Sequence, residues 1–442
     1  MKRRDFVGTA CSAVAGLAAA PALSFGEDKA KEPARPRSAP VRRIGRFTLE
    51  ELRSQYHSYL FDDFLPFMEK YVIDAEFGGF LCQADRDGTR LGTSKTPTNE
   101  GRGIWVWSYL YNVISKEQKY LDVARRSVDL ILKSRPEGDT LWPSSLTREG
   151  APDAPADTTI YGDLYIAAGL AEYARAARDD AAWRQAKEVM DKCLRIYERP
   201  DYDPAGEPDP VPGPRRQNVS MLLLPVATSL LKHKPDAEVE AVAARAVDAV
   251  VNKHFNPDYG LNNELLNHDF SRAPGSHAQT VSFGVSIQTL WMIVYEGFRL
   301  KNRALFETGA ERLLRHIAVG WDDVYGGTAS LLTHVDNNTW NMTKPLHCDV
   351  EALVGLLMLI EHTGDPRAVD SFARIYDFTI DKRVLKKHGY PLWQHEGDRK
   401  VTYEPHTRRA EHFHNSRHLM MNLAALDRMI PRRGKVSGLL AE

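Results

Sequence analysis

The chain has 442 residues, 43% hydrophobic and 26% charged, with a formal net charge of −1 at neutral pH. That length allows one large domain or two to three smaller ones. The balanced charge speaks against a nucleic-acid partner, which needs a basic face, and no later stretch has about 20 uninterrupted apolar residues, so no membrane-spanning helix is expected.

The N-terminus reads as a leader. Arg3-Arg4-Asp5-Phe6-Val7-Gly8 is a twin-arginine start, an Ala/Gly-rich run follows to about Ala20, and Ala20-Pro21-Ala22 offers a cleavage site. Residues 1–25 are expected to leave as a twin-arginine signal peptide. The mature protein would then be periplasmic or secreted, with no membrane anchor after cleavage. Residues 26–45 are charged and Pro-rich and are expected to form a disordered linker. Residues 46–433 contain no comparable break and read as one domain, with 434–442 as a flexible tail. Cys11 falls in the leader; Cys82, Cys193 and Cys348 lack metal spacing and read as buried free thiols.

Within the domain, Asp74-Ala-Glu-Phe-Gly-Gly-Phe80 predicts a hairpin ahead of a helix, Glu100-Gly-Arg-Gly-Ile-Trp-Val-Trp-Ser-Tyr-Leu-Tyr-Asn112. Arg102, Trp105 and Tyr109 stand at i, i+3 and i+7 and share one helix face. Aromatic rings beside a guanidinium suit a sugar, whose CH groups stack while its hydroxyls accept hydrogen bonds. A core helix of a large domain would carry the same rings. Leu121, Ala124, Val128 and Ile131 form the next apolar stripe. Helices at 165–178 and 181–197 meet at Arg178-Asp179-Asp180, and a helix over 351–362 stops at Thr363-Gly-Asp-Pro366. Short turns between long helices imply antiparallel neighbours. The hairpin phrase returns at Asp322-x-x-Tyr325-Gly326-Gly327. About twelve helices of ~11–12 residues fill the domain, the number for six helical hairpins closed into a ring. The fold class expected is all-α, an (α/α)6 barrel with short β-hairpins on the cavity side.

Four segments in order resemble one known family. They are Glu100-Gly-Arg102-x-x-Trp105-x-Trp107-Ser-x-Leu-Tyr111, Tyr161-Gly-Asp163-Leu-Tyr165 running on to Gly-Leu-Ala-Glu-Tyr173, Lys344-Pro-Leu-His-Cys-Asp-Val-Glu351-Ala352, and Phe413-His414-Asn-Ser-Arg417. Together they resemble the N-acylglucosamine 2-epimerase superfamily, which includes cellobiose 2-epimerases and mannose isomerases, over nearly all of residues 50–425. The resemblance implies that a reducing sugar opens to its aldehyde, a base removes the proton beside the carbonyl, and an enediol forms. Histidine suits that proton transfer at neutral pH, and a donor must hold the developing oxyanion. His414, Glu351 and His347 are the candidate catalytic groups. Arg102, Trp105, Tyr109, Asp163, Asn218, Asp349 and Arg417 are the candidate substrate contacts.

The resemblance has departures. Leu222 and Val285 stand where the family places histidines, Gln288 replaces a glutamate, and Leu346 and His347 replace paired tryptophans. Valine and leucine carry no exchangeable proton, which excludes two-histidine epimerisation at those positions. A single base can still serve an aldose–ketose isomerisation across one face of a cis-enediol, with His414 as that base. The C-terminal cluster of Glu404, His406, Glu411, His412, His414 and His418 contains no H-E-x-x-H and reads as cavity-facing rather than metal-binding. No cofactor is expected. The expected partner is a mono- or oligosaccharide, and an oligomer is compatible with the sequence. Two other readings stay open: a glycoside hydrolase or polysaccharide lyase using carboxyls among Asp163, Asp349, Glu351 and Glu404, and a carbohydrate-binding protein without turnover.

Overall fold

The computed structural model describes residues 39–204 and 211–438; the leader and residues 26–38 of the linker lie outside the described residues. Twelve helical segments run through them. They are α1 (49–72), α2 (97–114), α3 (Gln118–Lys133), α4 (Tyr161–Ala177), α5 (Asp180–Tyr197), α6 (Gln217–His233), α7 (237–253), α8 (Phe283–Arg299), α9 (Arg303–Gly320), α10 (Leu346–Thr363), α11 (Pro366–Lys382) and α12 (His414–Met429). The even-numbered helices touch in sequence from α2 to α12, and α12 packs on the last turn of α2 and closes the ring. The odd-numbered helices form an outer layer. This is the (α/α)6 barrel.

Sequence explains which helices go inside. α4, α8 and α10 are buried along almost their whole length, as helices covered on both sides must be. α3 buries one stripe, Tyr120, Ala124, Val128 and Ile131, and leaves its opposite face to solvent. The inner helices α2 and α4 approach at Gly101 and Gly169. A Cβ at Gly101 would lie 2.3 Å from the Tyr165 carbonyl carbon, and one at Gly169 would lie 2.5 Å from the Gly101 carbonyl oxygen, so any side chain would push the two helices apart.

The two ends of the ring differ. At one end short turns join inner to outer helices, and their caps explain why. Asp179, Asp236, Asn302 and Asp365 accept hydrogen bonds from first-turn amides of α5, α7, α9 and α11. At the other end lie the long loops and short antiparallel strands, including Val281–Ser282, Leu331–His334 and Thr339–Asn341 in one small sheet.

The repeated hairpin phrase builds one device twice. Asp74 accepts from Lys95 Nζ (3.1 Å) and from Arg148, while Lys95 also donates to the Gly78 carbonyl. Asp322 accepts from Lys344 Nζ (2.9 Å) and from Arg399, and Lys344 also donates to the Gly326 carbonyl. Both lysine side chains are wholly buried.

The domain boundaries are wider than the sequence suggests. Val41 donates to the Gly434 carbonyl at 2.8 Å, and Ile44 is buried within a small hairpin. An apolar residue in an otherwise polar linker finds cover. At the other end Ser437 bonds to His362 and to the Glu361 carbonyl, so residues 434–438 dock rather than hang free. Cys82, Cys193 and Cys348 are buried free thiols.

Candidate active site

The long-loop end gathers the reactive groups. Glu411 precedes α12, and its carboxylate accepts from the amides of Phe413, His414 and Asn415 at 2.9–3.2 Å. These are first-turn amides that no helical carbonyl can satisfy. Burial raises the Glu411 carboxyl, but the facing His414 and the three amides outweigh it and hold it at about 2. The cap fixes the first residue of α12, and that residue is His414.

His414 Nδ1 lies 2.8 Å from Glu351 Oε1 on α10. Arg417, one turn along α12, donates to the same oxygen, and Trp291 Nε1 on α8 donates to Oε2 at 2.9 Å. Burial raises the Glu351 carboxyl, but the Arg417 charge and the His414 hydrogen bond outweigh it and bring it to about 2. Glu351 is therefore a buried carboxylate paired with Arg417 and His414. For His414 burial wins over the two carboxylates and lowers the imidazole below its usual range. At neutral pH the ring is uncharged, its Nδ1–H is turned to Glu351, and Nε2 carries the free lone pair.

A second imidazole stands beside it. The His347 ring is 5.3 Å from the His414 ring, tilted by 37°. Burial and the neighbouring His414 keep it neutral, with a value of about 3. His347 Nε2 rests against α8 at Gly284, where a Cβ would lie 2.3 Å from it. That glycine makes room for the ring next to Val285.

Aromatic rings surround these groups. Arg102 lies 4.3 Å from the Tyr165 ring centroid, donates to the Tyr165 hydroxyl at 2.7 Å, and lies 5.3 Å from the Phe413 ring. Trp105 and Tyr109 stack at 4.8 Å, and Trp105 meets Phe413 edge-on. Arg417 lies against Phe413 and Trp291. Arg102, Trp105, Tyr109, His347, Glu351, His414 and Arg417 thus come together.

Three sequence candidates do not join them. Asp163 is fully buried, pairs with Lys192 at 2.6 Å and accepts from the Trp142 amide. Asp349 is likewise buried, pairs with Arg383 at 2.9 Å and accepts from the Thr328 amide. Each carboxylate anchors a loop to the start of an inner helix, the need that placed an acid there. Asn218 is half-buried and accepts from the Tyr161 hydroxyl at 3.3 Å. Glu404 is exposed. These positions do not provide the facing protonated and ionised carboxyls that glycoside cleavage requires. His418 turns away from His414 to the Tyr56 hydroxyl, 2.8 Å off, so the two do not converge on a common point. Trp291 and Gly284 carry no signal of a role in the sequence, and Glu411 stands there only as one member of the C-terminal His/Glu cluster. Trp291 looks like a core residue and Gly284 like a small helix residue, and only the partners of all three reveal their places.

The sequence profile of the N-acylglucosamine 2-epimerase (GlcNAc 2-epimerase) family matches residues 78–415. The N-acylglucosamine 2-epimerase of Rattus norvegicus is 24% identical over 344 residues, 72% of this chain and 78% of the relative. Among solved structures, the cellobiose 2-epimerase of Bacillus thermoamylovorans superposes with a TM-score of 0.72 at 18% identity, covering 86% of this chain and all of the other. A D-mannose isomerase superposes with a TM-score of 0.66 at 12% identity, covering 86% and 97%.

Proposed function

The chain belongs to the N-acylglucosamine 2-epimerase family, and we propose that it isomerises a reducing sugar through an enediol, moving one proton across one face of the substrate. The observation that carries this reading is the side-by-side placement of two neutral imidazoles. Their ring centroids are 5.3 Å apart. A carbon attacked from both faces needs each nitrogen about 3–3.5 Å away, which separates the ring centroids by about 8 Å or more. This pair cannot straddle one carbon. Leu222 and Val285, where the resemblance places other histidines, carry no proton.

The chemistry follows from the protonation states. His414 Nε2 takes the C2 proton of the open-chain aldose. The C–H electron pair becomes the C1=C2 bond, the carbonyl pair moves to O1, and an N–H of His347 supplies the proton that makes O1 a hydroxyl. Arg102 stabilises the charge as it develops. Collapse of the enediol returns the O2 proton to His347, forms the C2 carbonyl and places the His414 proton on C1. The product is the ketose. Glu351 holds His414 in the needed tautomer and stabilises the imidazolium between the two transfers.

The test is incubation of reducing aldoses, protonated at C2, in deuterated water. The expected result is a 2-ketose whose C1 carries hydrogen derived from C2, diluted by solvent exchange. A 2-epimer formed without ketose would overturn the one-face route, and no turnover of any reducing sugar would overturn the isomerase reading.

A further inference from the structure

A cavity runs inside the ring, and neither His414 nor His347 lines it. Leu222 and Lys232 both do; ten residues of one helix separate them, so the cavity is about 15 Å long. The buried side chains of Phe413, Trp291 and Arg417 line it too. At one end Lys232, in the last turn of α6, is exposed. The chamber therefore reaches the short-turn end, while Trp105, Tyr109 and Arg417 in its wall join it to the candidate active site.

Its wall is chiefly apolar, with Trp105, Leu222, Pro225, Met292 and Met421 among the lining side chains. Two buried carboxylates reach it, but each is already ion-paired, Glu172 to Arg175 and Glu296 to Arg299. An ionic ligand thus finds no unpaired charge in the depth of the chamber, while a hydrophobic one gains by leaving water. One polar atom of a lining residue still wants a partner. Arg417 is 3% exposed, and among the described residues its Nε has no hydrogen-bond acceptor. A buried donor without a partner costs about 1–3 kcal/mol, which an acceptor on a ligand would relieve.

We propose that this chamber is a second ligand site for a compact neutral molecule, an aryl ring or short alkyl chain bearing one hydrogen-bond acceptor. Its occupant bears on the Glu351–His414 pair through Arg417 and Trp291, which both line the chamber and both donate to Glu351. The coupling requires only that the ligand favour one arrangement of Arg417 over another.

The probes are benzyl alcohol and 1-hexanol, titrated while tryptophan fluorescence is followed, since Trp105 and Trp291 stand in the wall. Saturable binding is expected, weakened at least tenfold by Ala168→Trp, which fills the chamber. Xenon pressurisation of wild-type crystals gives a readout that needs no variant, and xenon density in the chamber is expected. Binding should also shift the imidazole NMR resonances of His414. Absence of both saturable binding and xenon density overturns the site, and binding that leaves His414 unmoved overturns the coupling. None of these readouts depends on turnover, so they stand apart from the isomerase reading.

Discussion

The lone pair on His414 Nε2 is available only while the ring is neutral, and burial keeps it so. Activity should therefore rise with pH through a midpoint below 6.5 and then level off. Replacing the neighbouring carboxylate sets two effects against each other. In Glu351→Gln the imidazolium loses the charge that stabilised it, so the His414 midpoint moves further down in pH. The plateau falls by about 100-fold or more because the tautomer is no longer enforced. A carboxylate with a merely structural role would lower the plateau without moving the midpoint, so the pH profile of kcat/KM separates the two. Legibility at this scale was uneven. Arg102, Trp105 and Tyr109 were readable because helical spacing alone puts them on one face. Asp163 and Asp349 were misplaced because an acid near a helix start suits a sugar hydroxyl and a buried lysine or arginine equally well. The partners that decide, Lys192 on α5 and Arg383 at the end of α11, belong to the next segment of the outer layer, where no local pattern points to them.

The paired hairpins carry the same lesson to the element. Asp-x-x-[Phe/Tyr]-Gly-Gly was legible because both glycines of each copy have positive φ, between 73° and 82°, which other residues resist. The lysine that locks each hairpin sits 21 or 22 residues downstream, beyond the reach of a turn rule. It explains why Lys344 heads the segment leading to α10: its ammonium ties the hairpin, the loop at Arg399 and the approach to His347 into one unit. Lys344→Met keeps the volume and removes the charge, leaving buried acceptors on Asp322 and two carbonyls short of a donor. Breaking a buried pair in this way costs about 3–5 kcal/mol. Urea unfolding should show that loss in the midpoint, and the same change at Lys95 should cost a similar amount. A cost below 1 kcal/mol at either site would mean that the remaining arginine suffices to hold the hairpin.

Across the whole molecule, a ring closed by six inner helices has a large interior, and several histidines are trapped in it as neutral groups. His254, His316, His412 and His418 are all buried. Burial is the leading cause of each lowered value, about 4 for the first three and about 3 for His418. In the unfolded chain each would titrate near 6.5. Between those limits the unfolded state binds more protons than the folded one, so stability rises with pH and is lost on acidification. Each histidine can remove up to about 1.4 kcal/mol per pH unit in that window. The buried carboxylates Glu351 and Glu411, held near 2, act in a separate window. Their stabilisation is complete above about pH 4.5, where they would titrate unfolded, and is lost only as pH falls toward 2. Acidification from pH 6.5 to 5 should therefore destabilise the protein through its buried histidines, with the buried Glu100 carboxyl, raised to about 7 by burial, opposing them by up to one proton. The unfolding free energy measured in urea at a series of pH values, divided by about 1.4 kcal/mol per pH unit, counts the protons taken up on unfolding. About five are expected near pH 5, since His347 and His362, lowered to about 3 and about 4, join these four and Glu100 offsets about one. His316→Asn should lower that count by one, because His316 bonds both the Asn262 amide and the Arg312 carbonyl and has no acidic neighbour to charge it. A slope of one proton or less would show that the interior admits enough water to let these rings charge while folded, and the closed packing of the ring would have to be redrawn.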